Sequence, residues 1–166
     1  MRLELDLPEA ALSSDEWYTP PAIFDRLGLT FDLDVCAPPG GVPWIPAERS
    51  YDWHADGLTA PWYGRVWCNP PYGSPRRWLD RFTQHADGLA LVPADLANRG
   101  IYPAADAGDA LCFLRDRVVF VRPGSDNVTS ARFPSLLIAH GLASVEALRR
   151  SGLGLVVLLS TPDEAE

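Results

Sequence analysis

Two kinds of stretch alternate along the chain. In one kind, apolar residues repeat every second position, and in the other they repeat about every 3.6 positions. The runs of period two, or of continuous apolar residues, predict strands at 31–36, 65–68, 88–92, 135–139 and 153–159. The runs at helical spacing predict helices at 75–85, within 95–107 and at 145–150. This alternation is typical of a three-layer α/β/α fold with a mainly parallel sheet.

The chain before the first strand is predicted to hold an arm and a helix. Residues 1–14 begin with alternating leucines and acids and are interpreted as an N-terminal arm with a short edge strand. Thr19-Pro20-Pro21 predicts a helix start, with Thr19 as the N-cap and proline in the first turn. Gly28 is a suitable stop for that helix.

Two stretches are predicted to be irregular. Residues 38–64 are rich in Pro, Gly and Trp and predict a long ordered loop with one short strand near Tyr51. Loops of that length are usually functional.

Residues 110–114 and 117–121 flank a potential tight turn, which predicts an antiparallel hairpin and an antiparallel edge on the sheet. The polar stretch 122–133 is expected to be a loop.

Length and composition indicate a single domain. The 166 residues suffice for one core, and we expect one domain with no separate second domain. No apolar run is long enough for a membrane span, and no secretory signal begins the chain, so we expect a cytoplasmic protein. The three cysteines have no Cys-x-x-Cys pattern, and we expect no metal site.

Charge does not by itself indicate a nucleic-acid binder, because the net charge is −8. All 14 basic residues are arginine, however, and they are concentrated in the middle of the chain. Residues 61–135 are therefore mildly basic, while the acidic excess lies towards the ends. Candidate phosphate-binding arginines follow the second predicted strand or lie in later loops: Arg76, Arg77, Arg81, Arg99, Arg122 and Arg132.

The tetrapeptide Asn69-Pro70-Pro71-Tyr72 comes directly after a predicted strand, where ligands bind in open α/β sheets. Its chemistry suits methylation of a delocalised amine. An amide oxygen and the next backbone carbonyl can accept the two N–H bonds, and both bonds favour tetrahedral nitrogen. Proline stiffens the strand end, and a tyrosine ring offers a face on which a base can stack. We therefore predict a catalytic loop here.

Three further positions are candidates for binding a nucleotide-like cofactor. Asp34 ends the first strand and could face a cationic group, and the short residues Cys36 and Ala37 would let a ligand approach the backbone. Asp56, before a glycine, could accept from an adenine amino group or from ribose hydroxyls. Each carboxylate is equally consistent with an ordinary strand end or turn.

With these elements placed, residues 15–140 resemble the phage-type DNA N6-adenine methyltransferases. The resemblance rests on several blocks in the same order: 15–21 (DEWYTPP), 33–37 (LDVCA), 56–58 with Trp62, 66–72 (VWCNPPY) with Trp78, 117–120 and 133–138. One feature departs from other methyltransferases. The usual glycine-rich cofactor loop is replaced by Ala37-Pro38-Pro39-Gly40-Gly41.

The resemblance implies a Rossmann-like methyltransferase that uses S-adenosylmethionine and acts on DNA. Tyr18, Thr19 and Pro20 would flank the methionine end of the cofactor, Asp34 and Ala37 would line its pocket, and Asp56 would lie near its adenosine. Asn69 and Pro70 would hold the target amino group, and Tyr72 would stack on a flipped adenine. Sequence preference would come from loops 40–55, 93–104 and 122–133.

Two alternatives stay open at this point. The same tetrapeptide chemistry suits cytosine N4, or an amine in RNA or a protein glutamine. A degenerate module that binds DNA without catalysis would account for the acidic charge and the altered loop. A restriction-type nuclease has no support, because no paired carboxylates followed by lysine are present.

Overall fold

The structure is a computed structural model that describes residues 18–121 and 128–159. Within those ranges the helices are α1 (Pro21–Leu27), α2 (Arg76–His85), α3 (Tyr102–Asp106) and α4 (Leu142–Ser151). The strands are β1 (Phe31–Asp34), β2 (Ala47–Ser50), β3 (Val66–Cys68), β4 (Gly88–Pro93), β5 (Ala110–Leu114), β6 (Val119–Val121), β7 (Val128–Ser130), β8 (Ser135–His140) and β9 (Gly154–Leu158). The predicted N-terminal arm and Arg122 lie outside the described residues.

Seven strands form one mixed sheet in the order β2-β1-β3-β4-β8-β5-β9. Strands β2, β1, β3 and β4 run parallel to one another, whereas β8 is antiparallel to both β4 and β5. The last strand, β9, pairs antiparallel with β5 at the edge. The predicted antiparallel edge is therefore present, and a second reversed strand lies inside the sheet.

Apolar side chains form two core clusters whose strand residues alternate along the sheet. One cluster joins α1 and α4 to residues such as Trp67, Leu89 and Leu137. The other joins α2 and α3 to residues such as Val66 and Ala90. Because successive strand residues point to opposite faces, the neighbours Val66 and Trp67 of β3 belong to different clusters.

The predicted hairpin between residues 110–114 and 117–121 is wrong. Strand β5 already pairs with β8 on one edge and with β9 on the other, so neither edge can accept a further strand. Strand β6 instead pairs antiparallel with β7 in a separate two-stranded sheet. The stretch 122–133, predicted to be loop throughout, therefore contains a strand.

The prediction of Thr19 as an N-cap is also wrong. Helix α1 begins at Pro21, its N-cap is Pro20, and no side chain caps it. Thr19 precedes that N-cap and lies outside the helix, and its side chain contacts Asn69 instead. The predicted stop is confirmed, since Gly28 adopts the left-handed conformation with φ 55°.

In the described part of the chain, no helix is both long enough and apolar enough to cross a membrane. Nor do residues 18–121 and 128–159 contain a group of three or more His, Cys, Asp or Glu side chains that could hold a metal ion.

Candidate functional site

A cleft of about 640 Å³ opens at the carboxyl ends of β1, β2 and β3. These parallel strands bring Asp34, Tyr51 and Asn69 to one edge of the sheet, because each residue ends its strand or follows it directly. The volume lies within the usual range for small-molecule sites, about 300–1,000 Å³. The lining is mainly apolar with a few polar side chains, which is typical of a binding site for an organic ligand.

The predicted catalytic loop, Asn69 to Tyr72, lines this cleft along its whole length. Asn69 is half-buried and Pro70 is buried, whereas the Tyr72 ring is 39% exposed. Phe120 of β6 meets the Tyr72 ring edge to face, with 6.1 Å between ring centroids. The loop thus presents an amide and an accessible aromatic face to the same space.

Asp34 is 3% exposed and lines the cleft. Its carboxyl oxygen Oδ1 accepts a hydrogen bond from the backbone N–H of Cys36 at 3.2 Å. Burial raises the pKa of Asp34 to about 7, and the hydrogen bond from Cys36 opposes that rise. Cys36 and Ala37 also line the cleft. Burial next to Asp34 raises the pKa of the Cys36 thiol to about 12, so that thiol is not a nucleophile near neutral pH.

Asp56 lines the cleft but already uses both carboxyl oxygens within its own loop. Oδ1 accepts from the backbone N–H of Leu58 at 3.1 Å, and Oδ2 accepts from the Thr59 hydroxyl at 3.0 Å. The residue adopts a positive φ of 50°, which aspartate tolerates better than most residues. These contacts fit the turn interpretation, although a carboxylate oxygen can accept a further bond from a ligand.

The next residue, Gly57, lies close to the backbone at the end of β1. A Cβ on Gly57 would lie 2.0 Å from the carbonyl oxygen of Val35. Its own carbonyl accepts from the Trp62 indole at 2.7 Å and from the Arg81 guanidinium at 3.0 Å. Arg81 also donates to Ala60 O and lies over the Trp62 ring. Arg81 therefore holds the cleft wall together instead of offering a free guanidinium to phosphate.

Of the three residues expected to flank the cofactor before α1, Tyr18 and Thr19 line the cleft and Pro20 does not. Tyr18 exchanges two backbone hydrogen bonds with Val121 of β6. Thr19 is completely buried, its hydroxyl oxygen accepts from Asn69 Nδ2 at 3.3 Å, and its carbonyl accepts from the Trp44 indole at 2.8 Å. The segment is therefore fixed between the predicted catalytic loop and the long loop after β1.

Several residues of the cleft were not predicted as site residues. Asp52 and Trp53 follow β2 and line the opening, and the Trp53 ring is 68% exposed and stacked on His54. Asp52 had a usable signal, because an acid about 20 residues beyond the first strand often binds ribose in nucleotide-binding folds. The two-stranded sheet β6-β7 closes another side with Phe120, Thr129 and Ser130. No local pattern indicates that wall, because it depends on a pairing between separated segments.

The predicted phosphate-binding arginines do not gather in one place. Arg132 is exposed and lines the cleft, next to β7. Arg76 and Arg77 are exposed at the start of α2, and Arg76 approaches Gly100, whose neighbour Arg99 is exposed as well. Arg76 is also 3.8 Å from Asp80, one turn further along the helix. None of these three helix and loop arginines lines the cleft.

Comparison with known families gives one result. The profile of the DNA N-6-adenine-methyltransferase (Dam) family matches residues 9–141. No curated protein and no solved structure matches the chain. The match spans most of the sequence, including β1, the loop from Asn69 to Tyr72 and β8, and it agrees with the resemblance in the sequence. The chain belongs to the DNA N-6-adenine-methyltransferase (Dam) family.

Proposed function

We propose that this protein transfers a methyl group from S-adenosylmethionine to N6 of an adenine that has been turned out of the DNA helix. The observation that carries this proposal is the convergence of Asp34 and the loop from Asn69 to Tyr72 on one cleft. The strand order, with one reversed strand between β4 and β5, supports a Rossmann-like methyltransferase fold. Family membership supports DNA adenine as the substrate.

The residues present fit S-adenosylmethionine. The Asp34 carboxyl has no cationic partner among the described residues, and an ammonium group would supply one. The indole Nε1 of Trp67 is buried without a hydrogen-bond partner in the described part of the chain, and Trp67 lines the cleft. Asp34, Ala37, Asp52 and Asp56 would therefore hold the cofactor, with Trp53 available as a stacking surface. When bound, S-adenosylmethionine supplies an electrophilic methyl group on its sulfonium sulfur.

The chain's own contribution to the reaction is to bind and orient the amine. Asn69 Oδ1 would accept one N6–H and the backbone carbonyl of Pro70 the other, and both bonds increase electron density on the nitrogen. Tyr72, braced edge-on by Phe120, would stack on the extruded base. Acceptors that are placed in advance need no reorganisation as charge develops on the nitrogen. Alignment of the amine is therefore the main source of the rate enhancement.

Target selection would rest on loops of this single domain. The segments 40–55 and 128–133 border the cleft through Val42, Asp52, Trp53 and Arg132. The loop 93–104 lies beside the exposed arginines of α2. We expect Arg76, Arg77, Arg99, Arg122 and Arg132 to contact DNA phosphates, which position the duplex without reading its sequence.

The test is methyl transfer from labelled S-adenosylmethionine to unmethylated DNA, followed by digestion to nucleosides and identification of the labelled base. We expect N6-methyl-2′-deoxyadenosine from the wild-type protein. Asn69→Ala should reduce transfer about 100-fold or more, since it removes one preplaced acceptor. Label in N4-methylcytosine, or only in RNA or protein, would contradict the proposal. Absence of cofactor binding in calorimetry would instead support the non-catalytic module.

A further inference from the structure

The catalytic amide of Asn69 can perform its proposed role in only one of its two orientations. Its oxygen can accept from the target amine, whereas its nitrogen can only donate. In the structure, Nδ2 donates to Thr19 Oγ1 at 3.3 Å, and Oδ1 has no hydrogen-bond partner among the described residues. The oxygen is thereby left for the substrate.

We propose that Thr19 is a positioning residue that holds the Asn69 side chain in place at the edge of the cleft. This inference rests on the proposed function and differs from the cofactor-flanking role that the resemblance implies for Thr19. Thr19 is 0% exposed, and its hydroxyl oxygen already accepts the hydrogen bond from Asn69 Nδ2. Both residues border the cleft, and the half-buried Asn69 side chain is the more accessible of the two.

Thr19 is itself held firmly enough to serve as a reference point. The Trp44 indole N–H donates to the Thr19 carbonyl at 2.8 Å. On the preceding side, the backbone of Tyr18 exchanges hydrogen bonds of 2.9 and 3.0 Å with Val121. On the following side, the ring of Pro20 restricts the backbone. The Thr19 hydroxyl is therefore placed before substrate arrives, as preorganised catalysis requires.

Thr19→Val and Thr19→Ser form a matched pair for testing this role. Valine keeps the branched shape and loses the hydroxyl, whereas serine keeps the hydroxyl and loses a methyl group. We expect Thr19→Val to lower the single-turnover methylation rate about 10-fold, the effect of losing one hydrogen bond that orients a reacting group. The dissociation constant for S-adenosylmethionine and the KM for DNA should not change. Thr19→Ser should restore most of the rate.

Two results would overturn the inference. One is a wild-type rate in Thr19→Val. The other is a raised cofactor dissociation constant with a normal rate at saturating cofactor, which would make Thr19 a cofactor ligand.

If Thr19→Val does not fold, Trp44→Phe tests the same chain of contacts, because it removes the indole N–H that anchors Thr19. A lowered rate with unchanged cofactor binding supports the inference, and an unchanged rate overturns it. Failure of the proposed function is distinct, because the wild-type protein would then transfer no methyl group to adenine.

Discussion

The carboxyl group of Asp34 accepts one hydrogen bond, from the backbone N–H of Cys36 at 3.2 Å, and has no other polar partner in the described part of the chain. A nearly buried carboxylate loses much of its hydration energy, and a single hydrogen bond replaces little of it. The pKa of Asp34 is accordingly raised to about 7, and the group changes charge close to neutral pH. Two predictions depend on that relationship.

The first concerns cofactor binding. Below pH 7 the Asp34 carboxyl is mostly neutral, and above pH 7 it is mostly ionised and attracts an ammonium group. We expect the affinity for S-adenosylmethionine to rise as the pH increases from about 6 to about 7, with release of a proton on binding, because the α-amino group of the cofactor stays charged until about pH 8. Calorimetry in buffers of different ionisation enthalpy measures that proton. Asp34→Asn should bind more weakly and without this pH dependence; a flat affinity profile for the wild-type protein would argue against the role of Asp34.

The second prediction concerns stability without cofactor. The folded state holds the Asp34 proton more tightly than the unfolded state, whose aspartate has a pKa near 3.8. The free energy of unfolding should therefore fall as the pH rises from about 4 to about 7, by up to about 4 kcal/mol from this group. Asp34→Asn should remove that loss and exceed the wild-type stability at pH 8. Urea denaturation at pH 5 and pH 8 compares the two; a variant less stable at pH 8 would contradict the expectation.

The site could be predicted where chemistry coincides with a strand end. Asp34 and Asn69 both follow recognisable apolar runs, and the carboxyl ends of parallel strands must share one edge of the sheet. The wall formed by Phe120 and β7 could not be predicted in this way. Its pairing depends on β5 having both edges occupied, and on the Arg117 guanidinium, which binds the carbonyls of Ala131 and Arg132. These are contacts between segments that are distant in sequence, and local periodicity does not predict them.

Thr19 illustrates the same limit at a single residue. A threonine before two prolines is a favourable helix cap, and local propensity predicts that role. In the folded chain, the Thr19 hydroxyl instead accepts a hydrogen bond from Asn69 Nδ2. The partner is 50 residues away along the chain, so only the tertiary fold reveals the contact.

The Tyr72 ring provides a third prediction. It is partly exposed and supported edge-on by Phe120, so stacking should depend on the ring and not on its hydroxyl group. Tyr72→Ala should weaken engagement of the extruded base by about 1–3 kcal/mol, whereas Tyr72→Phe should behave almost as wild type. The fluorescence of 2-aminopurine at the target position follows this step. Equal signals from the alanine and phenylalanine variants would exclude stacking as the role of Tyr72.

The last prediction tests the close approach of Gly57 to the sheet. A Cβ there would lie 2.0 Å from Val35 O, a buried backbone atom just after β1, and 3.0 Å from the Trp78 ring. Because the Val35 backbone is held by a hydrogen bond from its N–H to Trp67 O, Gly57→Ala should lower the free energy of unfolding by about 3 kcal/mol and displace Asp56 from the cleft. Gly73→Ala is the matched control, since a Cβ at Gly73 meets nothing within 4 Å and its φ is not positive. Urea denaturation should separate the two glycines clearly. Similar unfolding curves for the two variants would mean that the loop after Asp56 can shift without cost, and that Gly57 does not hold this wall of the cleft in place.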